Sequence, residues 1–277
     1  MTHLKQYDSQ YTKKEFIESV IQTSMQIFNE VSGINMFQKD NLKMAFCDSE
    51  TQAIVYEEFC GLFFPLYLGE GYSRTDPFSA QAFTNMEEGI YGVLICLDTD
   101  CDPDEWYQII LHELSHIFCI AHEIDGESFQ YKYSKSNLGD GPEYWHIHIG
   151  YQLWCEFIAN YVADQLNPFT RPLALKKLQK AVREYDRSVT RDDPDKIQCL
   201  SLLLHYIFLS PKIRAAGDAG TVIRILEENR IFATKARCEQ YEGMINLIFE
   251  QLQRDPCWKI DPEFITLLGV SYLLVIQ

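Results

Sequence analysis

The fold is decided by residues 91–123, YGVLICLDTDCDPDEWYQIILHELSHIFCIAHE. The first part, Tyr91–Leu97, is rich in branched apolar residues, which predicts a β-strand. Asp102 followed by Pro103 is typical of a helix start, and the apolar residues after them recur at helical spacing to about Glu123. The stretch therefore predicts a strand that leads into a long helix with one apolar face.

Within that helix lies His112-Glu113-Leu114-Ser115-His116, an H-E-x-x-H motif. Positions four apart share a helix face, so both imidazoles can bind one Zn²⁺ ion. Zinc lowers the pKa of a bound water to about 7, and the Glu113 carboxylate can then take the proton of that water. In zinc peptidases the preceding strand is often the sheet edge along which an extended peptide pairs. We interpret the motif as a metal site with Glu113 as the catalytic base; the alternative is a surface helix with two histidines and no metal.

A site of this type needs a third protein ligand, and two residues are candidates. His122 stands at the metzincin spacing, but Cys119 replaces the glycine at which the chain of those enzymes turns. On a continuing helix His122 lies about 120° round the axis from His116. Glu156 lies in a strongly apolar helical segment and shares a face with Asn160, which can orient a ligand. A lone glutamate on a helix is usually solvated, but the apolar neighbours argue against that here.

The two motifs together resemble a known family. The segment H-E-L-S-H, followed by E-F-I-A-N-Y-V-A-D-Q-L-N-P at residues 156–168, is similar to the ImmA/IrrE metallopeptidases. Their pattern is H-E-x-x-H and then a helix with E-x-x-A-N-x-F-A before a proline. The resemblance implies a zincin-like domain with His112, His116 and Glu156 as zinc ligands and Glu113 as general base. It also implies a regulatory Zn²⁺-dependent endopeptidase that cleaves a specific protein, often a DNA-binding repressor.

A further interpretation concerns His148, in the same predicted helix as Glu156. His148 precedes Glu156 by two helical turns, where it can donate a hydrogen bond to an oxyanion; a polar residue at a helix start is the simpler interpretation. The alternative to an endopeptidase is a non-catalytic zinc-containing binding protein on the same fold.

The pattern of the whole chain predicts an α+β fold with two parts. Residues 1–168 are predicted to form the zincin-like domain, with a small mixed sheet and two metal-bearing helices. Residues 169–277 are predicted to be all-helical and to serve recognition, sensing or dimerisation, with a boundary near Pro168–Pro172.

Most individual elements can also be predicted. A polar stretch at Asp125–Asp140 is typical of a surface loop. Short strands are predicted at Lys43–Cys47, Ala53–Val55 and Gly61–Leu68. The predicted helices are Thr12–Val31, Pro142–Asn167, Leu173–Ser188, Asp195–Leu209, Thr221–Glu228, Lys235–Arg254 and Pro262–Ile276.

The charge of the chain is unevenly distributed. Residues 1–168 carry 8 Lys and Arg against 26 Asp and Glu, a net charge of −18, whereas residues 169–277 carry 16 against 14, a net charge of +2. Such acidity argues against direct binding to nucleic acid, which needs a basic surface, and against an anionic membrane as partner. A basic DNA-binding regulator as protein substrate agrees with this charge, because opposite charges speed encounter.

The N-terminal residues Met1–Gln6 have no apolar core of a signal peptide, and no stretch approaches the length of a membrane span. The nine cysteines are scattered without a C-x-x-C pair. In a reducing compartment, cysteines scattered in this way serve as small buried apolar residues, so we expect a cytoplasmic protein.

Overall fold

The computed structural model describes residues 13–32, 35–38, 40–63, 78–122, 124, 132–133, 135–166, 174–191, 196–215, 224–229, 235–254 and 259–276. These residues are mostly helical and include one small sheet, so the predicted α+β class is confirmed. The elements, in chain order, are α1 (Lys13–Ser32), β1 (Leu42–Cys47), α2 (Gln52–Phe63), β2 (Ala80–Asn85), β3 (Ile90–Cys96), α3 (Pro103–Ala121), α4 (Lys135–Leu138), α5 (Pro142–Leu166), α6 (Ala174–Arg191), α7 (Lys196–Ala215), α8 (Lys235–Arg254) and α9 (Pro262–Ile276).

Contacts between Cα atoms divide the chain into two compact units. The first unit comprises residues 1–118 and 162–167, and the second comprises residues 119–161 and 168–277. The boundary that the sequence predicts, Pro168–Pro172, lies outside the described residues. None of the helices in the described part of the chain is long and apolar enough to cross a membrane.

The sheet of the first unit is mixed and has the strand order β1-β3-β2. β1 runs parallel to β3, from Leu42 opposite Tyr91 to Cys47 opposite Cys96. β2 runs antiparallel to β3 on the other side. The strand that leads into α3 is therefore the central one, and β2 is an edge of this three-stranded sheet.

Helix α2 covers one face of the sheet. Phe59 and Phe63 are buried against Phe83 of β2, with ring centroids 5.1 and 5.6 Å from it. Gly92 of the central strand lies directly beneath them, and a Cβ at this position would collide with both rings. An apolar cluster therefore fills this side of the sheet (Cys47, Phe59, Cys60, Phe63, Phe83, Leu94 and Cys96).

The strand predictions at residues 53–55 and 61–68 are wrong for residues 53–55 and 61–63, which belong to α2. The physical reason is that the buried residues Gln52, Phe59 and Phe63 recur at helical spacing, so a helix places them on one face. The Asp48 carboxylate also accepts hydrogen bonds from the amides of Glu50 and Thr51 just before this helix. Residues 64–68 lie outside the described residues.

Helices α1 and α3 contact one another in the same unit. The Phe28 ring of α1 lies 5.7 Å from Phe118 of α3, and Phe16 lies 6.3 Å from Tyr107. The Lys13 ammonium donates hydrogen bonds to backbone oxygens of the β3–α3 connection, at Leu97 (2.6 Å) and Thr99 (2.5 Å). These contacts fix the point at which α3 leaves the sheet.

The described elements of the second unit are all helices. Helices α5 and α9 cross with Gly150 against the backbone of Ile265, and Trp154 meets Phe264 edge-on at 5.0 Å. Tyr185 of α6 and Tyr241 of α8 share a buried hydrogen bond of 3.1 Å.

Two short helical segments also occur in this unit. Residues 224–227, inside the predicted helix Thr221–Glu228, are helical. The described part of the predicted loop 125–140 contains the short helix α4.

Candidate metal centre

The H-E-x-x-H helix begins where the sequence predicts. The Asp102 carboxylate accepts a hydrogen bond from the Glu105 amide (2.9 Å), and the Glu105 carboxylate accepts one from the Asp102 amide (3.1 Å). This reciprocal pair is a capping box, which satisfies amides that the first helical turn leaves without an internal partner. The cap fixes the register of α3, and therefore the direction in which His112, Glu113 and His116 point.

The buried side of α3 determines which residues remain accessible. Ile110, Leu111, Leu114 and Ile117 are fully buried. His112, Glu113 and His116 are only half-buried, on the part of the helix surface that the core leaves uncovered. The helical period thus separates the apolar residues, which hold the helix in place, from the polar residues of the motif.

The two imidazoles converge as the spacing predicts. The Nε2 atom of His112 lies 3.1 Å from the Nε2 atom of His116, and the rings are nearly perpendicular, at 84°. Two Zn–N bonds of about 2.0–2.1 Å at a tetrahedral angle separate their nitrogens by about 3.3 Å. The observed separation is close to what one ion requires, so this pair fits zinc.

Glu156 is the third predicted ligand. It lies on α5, where its neighbours on both sides along the chain are buried while Glu156 itself is half-buried. Asn160 donates a hydrogen bond from Nδ2 to the backbone oxygen of Glu156 (2.8 Å). This hydrogen bond joins the Asn160 side chain to the backbone of the candidate ligand.

The structure brings the three predicted ligands together. One ligand atom each from His112, His116 and Glu156 can be chosen so that all three lie within 4.8 Å of one another. Two imidazole nitrogens and one carboxylate oxygen are ligands that zinc prefers. No other group of three or more His, Cys, Asp or Glu residues in the described residues meets this condition.

His122 is not part of this group. Helix α3 continues through Cys119 and ends at Ala121, so the chain does not turn back at the position where metzincins have glycine. The Cys119 backbone oxygen instead accepts a hydrogen bond from the Ile124 amide (2.8 Å) at the end of the helix.

His148 lies in an aromatic cluster on the N-terminal part of α5. Its ring stacks on Tyr144 at 5.3 Å and meets Trp145 at 6.0 Å. Burial lowers the pKa of His148 below its ordinary value, so the neutral ring is favoured. Eight residues separate His148 from Glu156, so their Cα positions lie about 12 Å apart along the helix axis.

Glu113 makes a contact that the sequence does not predict. Its Oε2 atom accepts a hydrogen bond of 2.7 Å from the backbone amide of Ala82, in the edge strand β2. The sequence does not predict this strand either, because Ala80 and Ala82 have low β propensity and leave Thr84 as its only β-branched residue. Its two buried residues, Phe83 and Thr84, are adjacent, so the segment also lacks the alternation of buried and exposed residues that predicts a strand.

Comparison with known proteins adds nothing to this geometry, because no protein-family model, no curated protein and no solved structure matches the chain.

Proposed function

We propose that this chain is a zinc-dependent endopeptidase with a zincin-like catalytic fold, similar to the ImmA/IrrE metallopeptidases. The observation that supports the proposal most strongly is the convergence of His112, His116 and Glu156, with ligand atoms within 4.8 Å of one another. In the proposed site these three residues hold the zinc ion. When bound, zinc lowers the pKa of a coordinated water to about 7 and polarises a carbonyl group.

Glu113 is the proposed general base and acid. Its carboxylate accepts a proton from the water that attacks the peptide carbonyl, and it then returns that proton to the leaving amine nitrogen. The water oxygen forms a bond to the carbonyl carbon and the carbon–nitrogen bond breaks, so the products are a carboxylic acid and an amine. The hydrogen bond from Ala82 at 2.7 Å limits the orientations that this carboxylate can adopt.

The proposed substrate is a specific protein with a basic surface, such as a DNA-binding repressor. The support for this partner is the net charge of −18 over residues 1–168, the part of the sequence that contains all four site residues. Opposite charges accelerate the encounter of two proteins, and salt screens that attraction. Cleavage that slows as ionic strength rises would agree with this partner, and a rate independent of salt would contradict it.

The second candidate function is a zinc-containing binding protein without catalysis. The two functions differ in what Glu113 must do, since a purely structural zinc site needs no base. The decisive variant is Glu113→Gln, which keeps the shape of the side chain and removes its basicity.

The experiment is co-expression of the wild-type protein, or of Glu113→Gln, with each protein encoded next to it. We expect the wild type to cut one of these partners and Glu113→Gln to bind zinc normally but leave that partner intact. Cleavage by both proteins, or binding without cleavage by both, would contradict the peptidase proposal.

A further inference from the structure

The contact between Glu113 and Ala82 joins a side chain of α3 to the backbone of an edge strand. The donor and the acceptor lie 31 residues apart in the sequence, and the contact is partly buried. A hydrogen bond between an amide and a carboxylate is stronger than one between neutral groups. A half-buried carboxylate that accepts such a bond is held in one orientation more firmly than a solvated one.

The hydrogen-bond pattern of the sheet explains why this amide is available. The Cys96 amide donates to the Ser79 oxygen (2.9 Å), so odd-numbered residues of this segment pair with β3. The backbone groups of Ala80, Ala82 and Thr84 consequently point away from β3, towards the outer side of the sheet. Glu113 takes the amide of the middle residue of the three.

We propose that the backbone N–H of Ala82 is a positioning group that sets the orientation of Glu113. This inference rests on the proposed function for its catalytic meaning, but the hydrogen bond itself is testable without it. The amide engages one carboxylate oxygen, Oε2, and thereby directs the whole carboxylate relative to His112 and His116 on the same helix. A backbone group of the edge strand β2 therefore orients the proposed general base, Glu113.

The same hydrogen bond limits how an extended peptide can pair with this edge of the sheet. An extended peptide that pairs with β2 takes outward N–H and C=O groups of alternate residues. While Glu113 holds the Ala82 amide, that donor is not available to a substrate carbonyl. Of the three outward N–H groups of β2, this hydrogen bond leaves those of Ala80 and Thr84 to such a peptide, and it does not engage the outward C=O of Ala82.

The first test measures hydrogen exchange of alanine amides in the full chain labelled with ¹⁵N-alanine. Ala82→Gly and Ala80→Gly each remove one signal and so assign the two amides. We expect the Ala82 amide to exchange about tenfold more slowly than the Ala80 amide, and Glu113→Ala to abolish this difference. Equal exchange of Ala82 in the wild type and in Glu113→Ala would overturn the proposal.

The second test separates positioning from a structural role. Proline on the outer side of an edge strand removes a donor without breaking a ladder hydrogen bond, so Ala82→Pro removes the contact and Ala80→Pro is the matched control. With Co²⁺ as the probe in place of zinc, we expect Ala82→Pro to bind one equivalent but to show an altered visible absorption spectrum. Ala80→Pro should match the wild type.

The outcomes of this second test are separable. Identical cobalt spectra for the two proline variants would show that the contact is only structural and would overturn the proposal. Failure of every form to bind cobalt would instead overturn the proposed function. The exchange experiment would then still decide whether Ala82 orients Glu113.

Discussion

Gly150 and Gly269 face each other where α5 and α9 cross. A Cβ on Gly150 would collide with the backbone oxygen of Ile265, and a Cβ on Gly269 would collide with the backbone oxygen of His146. Both positions are buried, so the two helix backbones approach as closely as only glycine permits. This crossing packs the N-terminal half of α5, the helix that carries Glu156.

Gly269→Ala should therefore destabilise the protein. Inserting a methyl group into a contact made by backbone atoms forces the helices apart, at a cost of about 1–3 kcal/mol. Gly243→Ala is the matched control: Gly243 is exposed within α8, and a Cβ added there would meet nothing within 4 Å. The control should gain about 0.5–1 kcal/mol from helix propensity. Denaturant unfolding of both variants measures the two values, and equal effects of the two substitutions would contradict the account.

His148 should make stability depend on pH. Burial lowers its pKa in the folded protein below the ordinary value of 6.5, so the unfolded chain binds a proton first as the pH falls. As the pH falls from 6.5 to the folded pKa of His148, the free energy of unfolding should consequently decrease. Above pH 6.5 this group should have no effect on it. His148→Gln should show a shallower decrease between pH 6.5 and 5. A difference between wild type and variant that is the same at pH 8 and pH 5 would rule this out.

Cys47 should be an unreactive thiol. It is 3% exposed and lies opposite Cys96 in the β1–β3 ladder. Burial, together with the neighbouring Cys96, raises the pKa of Cys47 to about 12. Only the thiolate is nucleophilic, so iodoacetamide should label the exposed Cys238 rapidly and Cys47 only after unfolding. Peptide mass mapping of the labelled native protein makes the comparison, and rapid native labelling of Cys47 would contradict the burial described here.

Helices with clear caps and long apolar periods could be predicted closely from the sequence. The predicted bounds of α8 and α9, Lys235–Arg254 and Pro262–Ile276, agree with the structure. Asp102, Pro103 and the apolar period likewise placed the start of α3. In these segments the local signals and the tertiary packing favour the same structure.

Segments with conflicting local signals were predicted poorly. Residues 53–55 and 61–63 are short apolar runs that suit a strand as well as a helix, and packing of Phe59 and Phe63 on the sheet decides for α2. Strand β2 contains alanine where strands usually have branched residues, and its pairing with β3 stabilises it. A contact such as Ala82 with Glu113 depends on that pairing, so no local pattern predicts it.

The candidate ligands could be predicted from helical spacing and from the resemblance to a known family. His112 and His116 follow from one helical turn. For the third position, the expected continuation of the helix past Cys119 and the resemblance to the ImmA/IrrE pattern favoured Glu156 over His122, and the three-dimensional group contains Glu156.

The proposed function requires that His112, His116 and Glu156 hold one zinc ion. The most direct test is the zinc content per chain, measured by elemental analysis of the purified wild type, Glu156→Ala and His122→Ala at matched folding, judged by circular dichroism. We expect about one zinc per chain in the wild type and in His122→Ala, and loss of stoichiometric zinc in Glu156→Ala. No zinc in the folded wild type, or loss in His122→Ala with retention in Glu156→Ala, would contradict it.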